Sequence, residues 1–236
     1  MTGEETGRLS AVQTLGTLDG PGVRFVVFLQ GCPLRCACCH NPETWDPAGG
    51  ESCTARQLAA AAVRYRPYFG PKGGVTLSGG EPLLQPEFAA AFFRLCRENG
   101  LHTCLDTSGC RLDDRVAAVL DYTDYCLLDI KFTTDRQYRD YVGCGLKGSL
   151  DFLACLNERQ IPTRLRQVVI RGLNDSEDSI RQLGAIARSH PCVAETELLP
   201  FRTLCAEKYD RLGIPFRLKN LPETTPAELQ RLRRWL

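Results

Sequence analysis

Short apolar segments alternate with helix-like segments along this chain, and no other feature constrains its fold as strongly. The apolar segments suit buried strands and occupy residues 23–29, 75–77, 103–105, 125–130, 165–170 and 193–199. Helices are predicted over residues 55–66, 87–98, 113–120, 150–159, 176–188 and 226–236. Such alternation favours a parallel sheet with right-handed crossovers. Six strand–helix units predict an α/β fold, a partial TIM barrel of the (β/α)6 type.

Composition limits the classes of protein that the chain can belong to. Its 236 residues are 43% hydrophobic, so we expect a real core and a single domain over residues 1–236. The net charge of +1 gives no electrostatic reason to expect a nucleic-acid or membrane partner. No apolar run approaches membrane-spanning length, and the first ten residues lack the apolar core of a secretory signal. We therefore expect a cytoplasmic protein.

Polar residues or glycines follow each predicted strand. The carboxyl ends of the strands are where parallel βα folds build their sites, so these residues are expected to meet at one edge. They lie in the segments 32–40, 78–82, 106–109, 129–131, 171–172 and 200–202.

Four of the thirteen cysteines fall within eight residues. Cys32, Cys36 and Cys39 have the spacing C-x3-C-x2-C, and soft thiolates select zinc, copper(I) or iron–sulfur clusters. A structural zinc site or an ordinary 4Fe–4S cluster needs four protein ligands, and no second C-x2-C pair follows. Three ligands and one open coordination position are therefore favoured. A zinc knot and a four-cysteine electron-transfer cluster remain alternatives, with Cys38 interpreted as a packing residue and His40 as a loop hydrogen-bonder.

The other strand ends suit an amino acid that carries a positive sulfur, a description that fits S-adenosylmethionine. The Gly79-Gly80 turn allows close backbone approach, and Lys131 offers a point charge to a carboxylate. Asp106 and Asp129 offer oxygens to an ammonium group or to a metal cation.

These motifs resemble those of a known family. C-x3-C-x2-C after the first strand and Gly79-Gly80-Glu81 after the second resemble the radical S-adenosylmethionine (radical SAM) superfamily. The segments DGPGVRF and CHNPETW resemble, more narrowly, its glycyl-radical activating enzymes. The resembling segments keep the family's order and are residues 16–32, 39–46, 73–85, 102–109, 127–131 and 197–201.

The resemblance implies one 4Fe–4S cluster on Cys32, Cys36 and Cys39, with S-adenosylmethionine at the open iron. It implies reductive cleavage of S-adenosylmethionine and transfer of a hydrogen from a glycine Cα of a partner enzyme to the 5′-deoxyadenosyl radical. The expected partner is pyruvate formate-lyase, with another glycyl radical enzyme as the alternative. The expected electron donor is a flavodoxin- or ferredoxin-type protein.

The resemblance also implies roles for single residues. The Gly79-Gly80 turn would bind the methionine amino group and Lys131 its carboxylate, while backbone near the third cysteine would bind adenine. The implied cofactor-binding residues are Cys38, Cys39, His40, Gly79, Gly80, Asp129, Ile130, Lys131, Arg166 and Arg202.

A monovalent cation, Na⁺ or K⁺, is implied at Asp106, Thr107 and Asp129, and Asp19 matches a partner-facing residue. Two positions depart from the family: Cys38 stands where an aromatic residue is usual, and Arg202 where the closest relatives have histidine. Two other functions stay open at this point. One is radical chemistry on a small molecule, and the other is a zinc-stabilised binding module without catalysis.

The assignment of ligands predicts different outcomes for two cysteine substitutions. Cys36→Ala should abolish cluster assembly because it removes one of only three thiolates. Cys96→Ala should leave the iron content unchanged, since Cys96 lies in an apolar context typical of core packing. Iron and labile sulfide per chain, measured after anaerobic purification, check both outcomes. Equal loss in the two variants would mean that the ligands are wrongly assigned.

Overall fold

The computed structural model describes residues 3–236, and these form two compact units. The first contains the residues up to Pro33 together with Thr44–Leu127, and the second contains Leu34–Glu43 with Leu128–Leu236. Division into two compact units does not establish independent folding. The expected single domain over residues 1–236 therefore stays a prediction.

The first unit is a sheet with helices after its parallel strands. Its strands are β1 (Thr6–Gly16), β2 (Arg24–Leu29), β3 (Glu51–Thr54), β4 (Gly74–Gly79) and β5 (His102–Thr107). Its helices are α1 (Ala55–Val63), α2 (Arg66–Phe69), α3 (Pro86–Glu98) and α4 (Asp114–Leu120). β2, β4 and β5 pair in parallel, whereas β1 runs antiparallel to both β2 and β3. The carboxyl ends of three parallel strands therefore share one edge of this unit.

The longer segment of the second unit begins within β6 (Tyr125–Asp129), and its strands β7 (Thr163–Val169) and β8 (Val193–Pro200) pair in parallel. Its helices are α5 (Asp135–Tyr141), α6 (Lys147–Glu158), α7 (Glu177–Arg188), α8 (Ala206–Leu212) and α9 (Pro226–Leu232). Within residues 3–236, no helix combines the length and the apolar character needed to cross a membrane.

All six predicted strands and all six predicted helices are present, with ends that differ by a few residues. The sequence did not indicate β1, β3, α2, α5 or α8. β1 was missed because most of its side chains are exposed or half-buried, so it lacks an apolar run. Helix α2 has only four residues, too few to display a helical period.

Arg24 is a fully buried charged residue at the start of β2, where its guanidinium holds together several segments of the first unit. Nε donates to the Thr76 hydroxyl (3.0 Å), and Nη1 donates to the carbonyl of Pro21 (3.2 Å) and to His102 Nδ1 (3.1 Å). Nη2 donates to the carbonyl of Val75. Burial lowers the pKa of Arg24, but these acceptors satisfy the charged group.

Arg24→Met should destabilise the fold because it leaves several buried acceptors without their donor. We expect the free energy of unfolding to fall by about 3 kcal/mol. Arg56→Met is the matched control, since the Arg56 side chain is 60% exposed and pairs with Glu4 at the surface. Its expected effect is within about 0.5 kcal/mol. Urea denaturation of both variants measures the difference, and equal midpoints would contradict the role given to Arg24.

Candidate active site

The turn after β4 packs backbone against backbone in the first unit. The N–H of Gly80 donates to the carbonyl of Leu29 (2.8 Å), and the N–H of Glu81 donates to that of Gly31 (2.9 Å). Gly79 has a φ of 109°, and a Cβ added to Gly80 would lie 2.1 Å from the Gly31 carbonyl oxygen. Only glycine fits at both positions. Packing of the chain on itself therefore explains the Gly-Gly pair.

Glu81 joins the ends of β4 and β5. Its carboxylate is buried and accepts from the Thr107 hydroxyl (2.6 Å), from the N–H (3.0 Å) and hydroxyl (2.5 Å) of Ser108, and from the Leu83 N–H (3.1 Å). These four bonds satisfy a carboxylate that would otherwise be costly to bury. Sequence alone indicates no role for Glu81 beyond its place in the Gly79-Gly80-Glu81 motif. The available signal was a carboxylate placed directly after two glycines.

The predicted cation ligands of the first unit lie at the end of β5. Ser78 Oγ donates to Asp106 Oδ2 (2.8 Å), while the Thr107 hydroxyl is used by Glu81. Asp19 is half-buried in the loop between β1 and β2, where its carbonyl accepts from the Thr76 hydroxyl (2.7 Å). The roles expected for Asp19, Asp106 and Thr107 stay predictions.

The cysteine ligands are divided between the units. Cys32 follows β2 in the first unit, and its N–H donates to the Trp45 carbonyl (3.4 Å). Cys36 and Cys39 lie in the second unit, where the Cys39 N–H donates to the Cys36 carbonyl (3.0 Å) and closes a tight turn. The Asn41 N–H donates to Cys39 Sγ (3.4 Å). All three thiols are half-buried and outside any disulfide.

Cys38 differs from the cysteines around it. It is buried, and burial raises the pKa of its thiol to about 11 although the nearby Lys131 charge acts in the opposite direction. Every thiol must lose its proton to bind a metal, and burial makes that loss more costly for Cys38. The environment of Cys38 therefore favours packing over ligation.

Three charged side chains of the second unit form a buried cluster after β6. Asp129 Oδ2 pairs with Lys131 Nζ (2.5 Å), and Oδ1 pairs with Arg166 Nε (2.8 Å). The three side chains are 11–18% exposed. Burial opposes ionisation of Asp129, but Arg166 and Lys131 hold its pKa at about 2. Burial also opposes the Lys131 charge, yet Asp129 raises its pKa well above the usual value. Two cations against one carboxylate give this cluster a net positive charge.

The backbone next to this cluster is held by its own hydrogen bonds. Ile130 is buried, its N–H donates to the Arg166 carbonyl (3.0 Å), and its carbonyl accepts from Gln167 Nε2 (3.0 Å). The Lys131 N–H donates to the Tyr138 hydroxyl (3.2 Å). The 129–131 segment is therefore fixed in position, as a binding residue requires.

The His40 ring contacts the main-chain carbonyl of Arg202. His40 Nε2 lies 3.2 Å from the Arg202 carbonyl oxygen, which assigns the ring proton to Nε2. Burial lowers the pKa of His40, so the ring is neutral at pH 7. The Arg202 guanidinium pairs with Glu223 (3.0 Å), which also accepts from the Thr203 N–H (2.8 Å). A cofactor role for Arg202 stays a prediction.

The donor set fits an iron–sulfur cluster in its chemistry, because three half-buried thiols carry the soft ligands that such clusters take. Across the described part of the chain, no three His, Cys, Asp or Glu side chains converge closely enough to hold one metal ion. A 4Fe–4S cluster does not need its ligands to converge on one ion, because each thiolate binds a separate iron.

Comparison with known sequences finds one family and many relatives. The model of the radical SAM superfamily matches residues 26–183. A pyruvate formate-lyase-activating enzyme from Clostridium pasteurianum is 41% identical over 98% of this chain and 97% of its own. The pyruvate formate-lyase 1-activating enzyme of Escherichia coli K12 is 37% identical, over 96% of this chain and 94% of its own.

Comparison with solved structures supports the fold. A radical SAM methyltransferase from Sphaerobacter thermophilus matches with a TM-score of 0.59 and 17% identity. The match covers 98% of this chain and 74% of that protein. Identity this low shows the fold alone. The predicted fold class, α/β with the partial TIM barrel of radical SAM enzymes, is confirmed.

Asp129→Asn should destabilise the second unit in a pH-dependent way. It leaves two buried cations without their carboxylate, which we expect to cost about 3–5 kcal/mol at pH 7. The folded-state pKa of about 2 lies below the ordinary 3.8, so the carboxylate stabilises the fold at neutral pH. This stabilisation is lost as the pH falls from about 4 towards 2. The difference between the two proteins should therefore shrink in acid.

Urea denaturation from pH 7 down to pH 3 measures that difference. Asp210→Asn is the control, because the Asp210 side chain is 64% exposed and pairs only at the surface with Lys219. A constant gap between wild type and Asp129→Asn at all pH values would show that the Asp129 charge is not the cause.

Proposed function

Because the chain belongs to the radical SAM superfamily, we propose that it is an activating enzyme that generates a glycyl radical on a partner enzyme. The partner we propose is pyruvate formate-lyase, which the names of both reported relatives specify. Their similarity extends over almost the whole chain, so the proposal does not depend on the cysteine motif alone.

In this proposal Cys32, Cys36 and Cys39 hold one 4Fe–4S cluster. When bound, the cluster supplies the electron that cleaves S-adenosylmethionine to methionine and a 5′-deoxyadenosyl radical, which takes hydrogen from a glycine Cα. The burial of Cys38 supports a count of three ligands, because the other three cysteines of the loop are only half-buried.

The observation that carries the proposal is the buried charged cluster next to the cysteine turn. Burial raises the pKa of Cys38 and the Lys131 charge opposes that rise, so the ammonium lies within electrostatic reach of the cysteine segment. Its net positive charge suits the carboxylate of an amino acid, which Lys131 would bind with Arg166 close by. Asp129 holds both cations in place, and Ile130 fixes the main chain between them.

Other residues would bind the remaining parts of S-adenosylmethionine. Carbonyl groups of the Gly79-Gly80 turn would accept from the ammonium group, and the main chain of residues 38–40 would bind adenine. The Arg202 carbonyl orients His40, so we propose that Arg202 acts near the ribose through its backbone position. No catalytic side chain beyond these is required, since the chain's contribution is placement and exclusion of water.

The proposal also includes a monovalent cation, the contact with the partner enzyme and the electron donor. Asp106, Thr107 and Asp129 would bind Na⁺ or K⁺, and Asp19 would face the glycine-bearing loop of the partner. The electron donor would be a flavodoxin- or ferredoxin-type protein. In this proposal the enzyme acts in the cytoplasm of a cell that grows without oxygen.

A radical assay tests the proposed function. The anaerobically reconstituted chain is reduced and mixed with S-adenosylmethionine and pyruvate formate-lyase, and the mixture is examined by electron paramagnetic resonance. We expect a glycine-centred radical, with 5′-deoxyadenosine and methionine formed in step with it. The signal should be missing when S-adenosylmethionine is omitted.

Two results would contradict the proposal. Cleavage of S-adenosylmethionine without a glycyl signal would mean that the partner is another protein or a small molecule. A colourless protein that holds zinc and no labile sulfide would overturn radical chemistry altogether.

A further inference from the structure

Helix α8 contacts the segment that follows the third cysteine, and the proposed function does not use this contact. Both belong to the second unit. Lys208 and Tyr209 reach residues 39–43 from consecutive positions of the helix. The segment is the CHNPE part of the CHNPETW motif that the sequence singles out.

Lys208 bonds to three acceptors of this segment. Its ammonium donates to the His40 carbonyl (2.9 Å) and to Asn41 Oδ1 (2.9 Å), and it forms an ion pair with the Glu43 carboxylate. An ammonium has three N–H donors, so this set uses all of them. A surface ion pair engages one partner, whereas Lys208 binds three residues of one loop, His40, Asn41 and Glu43.

Tyr209 holds the same segment one residue earlier. Its hydroxyl donates to the Cys39 carbonyl (3.1 Å), and the residue is 2% exposed. The ring stacks on Phe216, with 4.7 Å between ring centroids. A buried and stacked ring has little freedom, so its hydroxyl is a fixed point for the Cys39 main chain.

These contacts explain why the motif contains Asn41 and Glu43. Neither residue is one of the three predicted cluster ligands, but the side-chain oxygens of both accept from the Lys208 ammonium. The Asn41 N–H also donates to Cys39 Sγ, so a shift of this residue would change the surroundings of the sulfur. Groups that orient metal ligands in this way are a regular part of metal sites.

We propose that Lys208 and Tyr209 are positioning residues that clamp residues 39–43, and so fix the Cys39 and His40 main chain for cofactor binding. The clamp itself is a property of the folded chain. Its consequence for S-adenosylmethionine rests on the proposed function, in which this main chain binds adenine.

Lys208→Met and Lys208→Arg test the clamp, with Lys219→Met as the control. Lys219 also pairs with a carboxylate at the surface, that of Asp210 (3.2 Å). The first measurement is amide hydrogen exchange of residues 36–44 in the full-length chain before iron is added. Exchange should be about tenfold faster in Lys208→Met, intermediate in Lys208→Arg and unchanged in Lys219→Met.

The second measurement follows anaerobic reconstitution. With excess iron and sulfide, iron per chain should match wild type in Lys208→Met because the three thiols are intact, while the Kd for S-adenosylmethionine should rise about tenfold. Lys208→Arg should recover part of the affinity, since a guanidinium can also donate to several oxygens. A purely structural defect would lower iron content together with affinity.

The outcomes separate the two proposals. Exchange and Kd equal to wild type in Lys208→Met would overturn the clamp, whatever reaction the enzyme performs. A wild-type chain that takes up no cluster would overturn the proposed function, and hydrogen exchange would still decide the clamp. If Lys208→Met does not fold, Tyr209→Phe removes only the hydroxyl. Faster exchange at residues 39–41 in that variant would support the clamp, and unchanged exchange would reject it.

Discussion

The close approach of two backbones at the end of β4 is the contact on which the first unit's site depends. Gly79 and Gly80 lie so near Leu29–Gly31 that no Cβ fits between them. This approach places Glu81 where its carboxylate reaches Thr107 and Ser108. A chain of hydrogen bonds thus connects the ends of β2, β4 and β5. The motif is required first by packing, and any ligand benefits from a turn that is already rigid.

The site residues of the second unit are held by buried charges, whereas those of the first unit are held by close backbone packing. Asp129 is buried between Lys131 and Arg166, an arrangement that would be unstable with either sign alone. One carboxylate cannot balance two cations, so the cluster is suited to receive another anion. The stability of the unit and the proposed binding of a carboxylate therefore depend on the same three side chains.

Much of the architecture could be predicted because it depends on local pattern. Each parallel strand is a buried apolar run, and the polar residues after it are visible in sequence. β1 was missed because it is paired on both edges yet exposed on its surface, so its partners and not its composition make it a strand. Glu81 and Lys208 were missed for a related reason. The Thr107 hydroxyl that donates to Glu81 is 26 residues away along the chain, and the acceptors of Lys208 are 165–168 residues away. A single sequence does not show such pairs.

The burial of Cys38 has a consequence for the chemistry of loading the site. Each thiol that becomes a ligand must release its proton, and burial makes that release more costly for Cys38 because it raises the pKa of this thiol to about 11. In the proton balance of loading, the four-cysteine loop would therefore supply three ligands, Cys32, Cys36 and Cys39. Affinity for the cluster should then depend on pH less steeply than the number of cysteines suggests. In the proposed site, one buried side chain would in this way keep the number of ligands at three.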